Sequence, residues 1–311
     1  MEEEGSRYIN PYTDYGFKYL FGTEPNKEFT LALVNALLRG KEVIKSLTLI
    51  PSEQLGDTKE DRRAVFDVYA ENERGEKIII EMQKADQQYF KDRSVYYSSF
   101  PIRSQGEKGR WRFGLKAVYT IGILDFVFDE DKDDEDYYHH VVQLMDVEKK
   151  EVFYDDLIYI YLEMPKFKKT EAELETLFDK WLYALKNLPR LPERPAALQE
   201  RIFKKFFDVA QTANLSKEEY AKYFESEKAY YDLDGAFRTA AAKGLAKGRA
   251  EGRAEGIFEG RAEGRAEGLT EGRQKEKAET ILRLRRMGLT MEQIAQGTDT
   301  PIEQVTSILS Q

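Results

Sequence analysis

Two hydrophobic periods succeed one another along this chain, predicting a sheet-forming first half followed by helices. Residues 65–70 and 77–82 are rich in β-branched and aromatic side chains, and the polar segment between them contains Arg74-Gly75. That pattern predicts a β-hairpin turning at Arg74. Its register sets Tyr69 opposite Ile79 and Asp67 opposite Glu81. Because side chains alternate faces, Asp67, Glu81 and Gln83 share one face, and Phe66, Val68, Ile78, Ile80 and Met82 fill the other. Ahead of the hairpin, Phe17, Leu20 and Phe21 stand at near-helical spacing, with Asp14 and Lys18 placed to pair on one helix face. Leu31, Leu33, Val34, Leu37 and Leu38 predict a second buried helix ending near Gly40. Residues 47–50 read as a short strand. After the hairpin, residues 88–103 read as a helix on which Arg93 and Tyr97 share a face. The apolar run 115–125 predicts a central strand buried on both sides, and residues 141–147 and 158–162 predict two more strands.

From Thr170 the period becomes helical. Thr170-Glu171-Ala172-Glu173 resembles an N-terminal cap, and Leu174, Leu177, Phe178, Trp181, Leu182 and Leu185 follow at helical spacing. Pro189, Pro192 and Pro195 interrupt the chain before a helix predicted over 196–213 with Phe203, Phe206 and Phe207, and Ser216 caps a third. Residues 244–272 carry a glycine at every fourth position, from Gly244 to Gly272. Each glycine costs a helix about 1 kcal/mol relative to alanine. Glu251, Glu255, Glu259, Glu263, Glu267 and Glu271 form like-charge neighbours four apart. Such a segment is either a spacer or a helix that docks on a partner through its glycine seam. Residues 277–310 predict three short helices, 278–287, 290–296 and 301–309, resembling a helix-turn-helix. Residues 290–311 contain no Lys or Arg, so protein interaction suits this unit better than DNA contact.

Composition sets limits on this picture. A chain of 311 residues with 41% apolar content supports one sizeable core with appended parts. The absence of cysteine excludes disulfides and cysteine-ligated zinc and leads us to expect a cytoplasmic protein. The opening Met1-Glu2-Glu3-Glu4-Gly5 lacks the features of a signal peptide, and no apolar run is long enough to span a membrane. A net charge of −9 confines any DNA contact to a local basic patch. Residues 103–116 supply one: Lys108, Arg110, Arg112 and Lys116, interleaved with Trp111 and Phe113. A solvated basic turn is the alternative.

The hairpin carries the candidate chemistry. Carboxylates directly opposite on a sheet have β-carbons about 5 Å apart and repel, so the pair calls for a compensating cation, most simply a hard divalent ion. A solvated sheet face is the plain alternative. The acidic stretch 129–136 reads as a solvated loop rather than a second metal site. His139 and His140 point to opposite strand faces and are poorly placed to chelate one ion together.

Asp67, thirteen intervening residues and then Glu81-Met82-Gln83 resemble the D…(D/E)xK signature of the PD-(D/E)xK superfamily, with Gln in the Lys place. The flanks Asn10-Pro11-Tyr12-Thr13-Asp14-Tyr15-Gly16-Phe17-Lys18-Tyr19-Leu20-Phe21-Gly22, and Arg93 with Tyr96-Tyr97, resemble its Rpn-like recombination-promoting nucleases and transposases. The resemblance implies an α/β fold: a restriction-endonuclease-like mixed sheet core flanked by helices, with a helical C-terminal extension. The expected division is a nuclease-like core over 1–165, a helical region packed on it over 166–240, a glycine-repeat helix or spacer over 241–275, and a helix-turn-helix-like unit over 276–311. The implied activity is Mg²⁺-dependent DNA endonuclease hydrolysis of phosphodiester bonds, in recombination or mobile DNA. Asp67 and Glu81 would ligate the ion with the Met82 carbonyl and waters, since magnesium takes few carboxylates. Asp67, Glu81 and Gln83 are the implied catalytic set, with Asp14 an outer contributor. Arg93, Arg110 and Arg112 are the expected DNA contacts, and the C-terminal helix the expected route to a homo-oligomer. Gln83 can orient a water but carries no charge, which leaves open a rival reading, a non-catalytic DNA-binding or scaffolding protein.

Overall fold

In the computed structural model, which describes residues 6–41, 43–54, 64–84, 89–106 and 112–310, the hairpin forms in the predicted register. β4 (Val68–Asn72) pairs antiparallel with β5 (Lys77–Gln83), Val68 opposite Ile80 and Tyr69 opposite Ile79. Asn72 closes the turn, its Oδ1 accepting the Arg74 and Glu76 N–H groups at 2.9 and 3.0 Å, and Gly75 takes the left-handed φ of +79° that the reversal needs.

β1 (Leu47–Leu49) adds antiparallel to β4. On the other side, β5 pairs in parallel with β6 (Val118–Leu124), and a parallel neighbour requires a crossover, which α3 (Phe90–Ser104) supplies. β6 continues in parallel to β8 (Glu151–Glu163), and β7 (His139–Asp146) closes the edge antiparallel to β8. The sheet order is thus β1-β4-β5-β6-β8-β7, with β2 (Glu53–Gln54) and β3 (Ala64–Val65) forming a separate pair. Every residue of β6 is buried, as its unbroken apolar run requires of a strand covered on both faces. This is the expected mixed sheet flanked by helices, consistent with a restriction-endonuclease-like fold.

One face of the sheet packs against α1 (Asp14–Phe21), α2 (Lys27–Leu37), α4 (Leu177–Asn187) and α5 (Arg201–Val209). Trp181 is fully buried there, 5.1 Å from the Phe206 ring and 6.0 Å from that of Phe21. The opposite face packs against α3. Phe66 was expected beside Val68 and Ile80 but sits on this α3 side with Tyr69, Ile79 and Phe100, 5.4 Å from the Tyr97 ring. The chain bends at Asp67, between β3 and β4, so strict alternation fails at that point.

Helix starts show two further departures. The Thr170–Glu173 capping box closes only a 3₁₀ turn, and α4 begins at Leu177 under a second box made by Thr176 and Asp179. Consequently Leu174 precedes the helix. The helix expected over 196–213 is confined to Arg201–Val209, and a 3₁₀ turn at Thr212–Asn214 follows it.

The chain forms two compact units, residues 1–233 and 234–311. α6 (Lys217–Arg286) begins in the first, capped by Ser216 and Glu219, and its residues from Asp234 onward, the glycine repeat included, belong to the second. Within the second unit, the end of α6 packs with α7 (Met291–Thr298) and α8 (Ile302–Leu309) around fully buried Ile281, Ile294 and Val305. The first of the three predicted short helices is therefore the last turns of α6. Among the described residues, no helix is long and apolar enough to cross a membrane.

Candidate active site

The bend that displaces Phe66 also shapes the site. Asp67 stands one residue before the β4–β5 ladder, and its Oδ2 accepts the Met82 N–H at 2.8 Å. Glu81 projects from β5 to the α3 side, where the Phe90 and Tyr161 rings close over neighbouring Gly122. α1 approaches from the other direction. Gly16 lets the preceding loop fold tightly onto the start of this helix, since a β-carbon there would stand 2.1 Å from the Asn10 carbonyl oxygen and 2.6 Å from Thr13 Oγ1. On α1, Lys18 Nζ lies 2.5 Å from Asp14 Oδ1 and 3.8 Å from Asp67 Oδ1. Asp14 thus reaches the pair through Lys18.

From α3, Arg93 donates to Gln83 Oε1 at 2.5 Å, its guanidinium 5.6 Å from the Phe90 ring and 5.8 Å from the Tyr97 ring. Lys84, the cation next in sequence to Gln83, turns instead toward the first turns of α6, where its ammonium bonds the Tyr230 carbonyl and covers that ring at 3.2 Å. Asp67, Met82 and Gln83 line a cleft of about 240 Å³ with Asp14, Lys84 and Tyr230. On the Lys18 side, Asp67 also lines a hollow of about 290 Å³ with Gly22 and Tyr69, whereas hollows of about 560 and 910 Å³ are lined by neither Asp67 nor Glu81. Arg112 is exposed beside Phe113, whose φ is +55°, and Arg110 lies outside the described residues.

The electrostatics follow from the geometry. Burial raises Glu81 to about 8, helped by the charge of Asp67 and opposed by Arg93. Burial likewise raises Asp67 to about 6, against the pull of the Met82 N–H and Lys18. Burial works to lower Lys18, but its bond to Asp14 and the charges of Asp67 and Glu81 outweigh that, so it remains an ammonium. Without a further cation the two carboxyls share protons near neutral pH. Glu81 Oε1 is buried and takes no hydrogen bond. An oxygen-donor pair in this condition suits a hard divalent cation, which would replace those protons.

Lys18 is the group that sequence reasoning missed as part of the site. It registered only as the partner of Asp14, although a helical Lys in the same flanking motif, combined with Gln at position 83, was the available signal.

A second set of ligating side chains, Asp131, His140 and Glu163, has donor atoms within 4.8 Å of one another and includes none of the predicted site residues. Glu163 lies in the same row of the sheet as Gln83, across Leu124, roughly 10 Å away at strand spacing.

Comparison with curated proteins and with solved structures returns no match. A family model described as PD-(D/E)XK nuclease family transposase matches residues 11–240, which takes in α1, the hairpin, α3, the whole sheet and the first turns of α6. A match of that extent, over a mixed sheet that holds two half-buried carboxyls near one another, places the chain in the PD-(D/E)XK nuclease family transposases.

Proposed function

We propose that this protein is a Mg²⁺-dependent DNA endonuclease acting in recombination or on mobile DNA. The observation that carries the reading is the Asp67–Glu81 pair, both carboxyls raised by burial and one oxygen of Glu81 left without a hydrogen bond. Asp67 and Glu81 would hold the ion, with the Met82 carbonyl and waters completing its shell. When bound, the ion lowers the pKa of a coordinated water and neutralises charge growing on the phosphate.

The remaining work falls to the chain. Lys18, held by Asp14 and 3.8 Å from Asp67 Oδ1, supplies the positive charge that Gln83 lacks, orienting a water or a phosphate oxygen at the pair. Gln83 is a positioning residue whose carbonyl fixes Arg93, and Arg93 offsets the charge of Glu81 and faces an incoming phosphate. Arg110 and Arg112 extend the contact along the backbone of the nucleic acid. A cytoplasmic setting suits a chain without cysteine.

Self-association through α6 accompanies this reading. A β-carbon added at any of the glycines from Gly244 to Gly272 would meet nothing within 4 Å, so the seam is open to another helix. The non-catalytic scaffold is favoured by one feature, the uncharged Gln83. Incubation of supercoiled plasmid with the full-length protein separates the two: the endonuclease yields nicked or linear product in Mg²⁺ and none in EDTA, whereas a scaffold yields none in either.

A further inference from the structure

The Asp131–His140–Glu163 cluster is independent of the Asp67–Glu81 pair. Glu163, at the end of β8, is completely buried, and His140, on β7, is 91% buried by its 9% exposure. The His140 ring is fixed between aromatic edges, 4.7 Å from Tyr137 and 5.8 Å from Phe128. Its Nε2 is inaccessible and makes no hydrogen bond. That nitrogen stands 3.4 Å from Glu163 Oε2 and 3.8 Å from Asp131 Oδ2. Both separations exceed ordinary hydrogen-bond lengths of about 2.7–3.2 Å. Two donors on one tetrahedral ion at bond lengths of about 2.1 Å stand about 3.4 Å apart, which the Glu163 oxygen meets as it stands and the Asp131 oxygen, at 3.8 Å, meets after a small closing movement of its partly exposed turn.

The surroundings hold these donors in place. Phe128 N–H donates to Glu163 Oε1 at 2.6 Å. Lys166 Nζ lies 2.7 Å from Glu163 Oε2 and donates to the carbonyls of Asp131 and Tyr137 at 2.8 and 3.0 Å. Outer partners of this kind orient carboxylate ligands in metal centres.

We infer that Asp131, His140 and Glu163 form a second metal site, specific for a divalent transition ion such as zinc. Imidazole nitrogen with two carboxylate oxygens suits zinc better than magnesium, and three protein donors leave a position for water. The ion ties the turn carrying Asp131 to the ends of β7 and β8. The sequence reading took residues 129–136 for a solvated loop and found His139 and His140 poorly placed to chelate one ion together, and it did not weigh His140 against Asp131 and Glu163.

The test uses full-length Asp67→Asn/Glu81→Gln protein, which lacks the paired-carboxylate site, stripped with chelator and titrated with Zn²⁺ against a chromophoric competitor. The expected result is one equivalent bound, lost in His140→Ala and weakened about tenfold or more by Asp131→Asn, a change on a partly exposed turn that spares the core. The chain has two histidines, so imidazole ¹⁵N spectra of the same protein give a second readout without touching the cluster. Zn²⁺ should displace the Nε2 resonance of His140 and leave that of His139. Absence of stoichiometric binding, binding unaffected by both substitutions, or a shift at His139 alone would overturn the inference.

Discussion

Replacing Glu81 with Gln should stabilise the metal-free protein at alkaline pH while removing its metal response. Glu81 ionises near 8 in the fold, against an ordinary 4.5. Between those values the unfolded chain has released a proton that the native state retains, so stability falls as pH rises. At 1.36 kcal/mol per pH unit, this penalty reaches about 4 kcal/mol by pH 8 and only about 1 kcal/mol at pH 5, as an upper limit that relaxation and water entry reduce. Gln keeps the shape and cannot ionise. Urea unfolding of wild type and Glu81→Gln, both in EDTA, should therefore show a higher midpoint for the variant at pH 8, a much smaller gain at pH 5, and unchanged m-values. Added Mg²⁺ should raise the wild-type midpoint at pH 8 and leave the variant unmoved. A variant equally or less stable than wild type at pH 8, or gaining as much at pH 5, would refute the claim that the site stores repulsion for a cation.

Three further outcomes follow from the same geometry. Lys18→Met should slow Mg²⁺-dependent cleavage about 100-fold and move the acidic limb of the pH–rate profile upward, because Lys18 holds Asp67 down; an unchanged profile removes Lys18 from the site. Arg110→Gln with Arg112→Gln should weaken DNA binding uniformly across sequences and make the salt slope about two units shallower, measured by fluorescence anisotropy across salt concentrations. Leu at Gly252, Gly256 and Gly260 raises helix propensity but blocks close backbone approach, so sedimentation should show a smaller assembly despite greater helicity; equal assembly would leave the repeat a tether.

What the sequence disclosed, and what it concealed, has local causes. Hairpin register was legible because Arg74-Gly75 centres the turn and the flanking runs are unambiguous, and β6 because its short apolar run suits a strand covered on both faces, as its seven buried residues bear out. Phe66 was misplaced because a bend at Asp67 breaks a period that alternation assumes continuous. The start of α4 was misread because Thr170-x-x-Glu173 and Thr176-x-x-Asp179 carry the same capping logic, and only packing selects which one opens the helix. The carboxyl pair could be named from spacing, and the flanking motif with Gln83 pointed toward Lys18, but the placing of Lys18 at Asp67, Arg93 at Gln83 and Lys84 at Tyr230 depends on how α1, α3 and the first turns of α6 pack against the hairpin. His140 meets Glu163 only because β7 folds back along β8.

The most direct measurement is cleavage of supercoiled plasmid by wild type and Asp67→Asn at pH 8 in Mg²⁺. Asn retains an acceptor for the Met82 N–H, so far-UV circular dichroism should be the same for both. The account predicts nicking by the wild type and none above background by the variant. A folded Asp67→Asn protein that cleaves at the wild-type rate would contradict it.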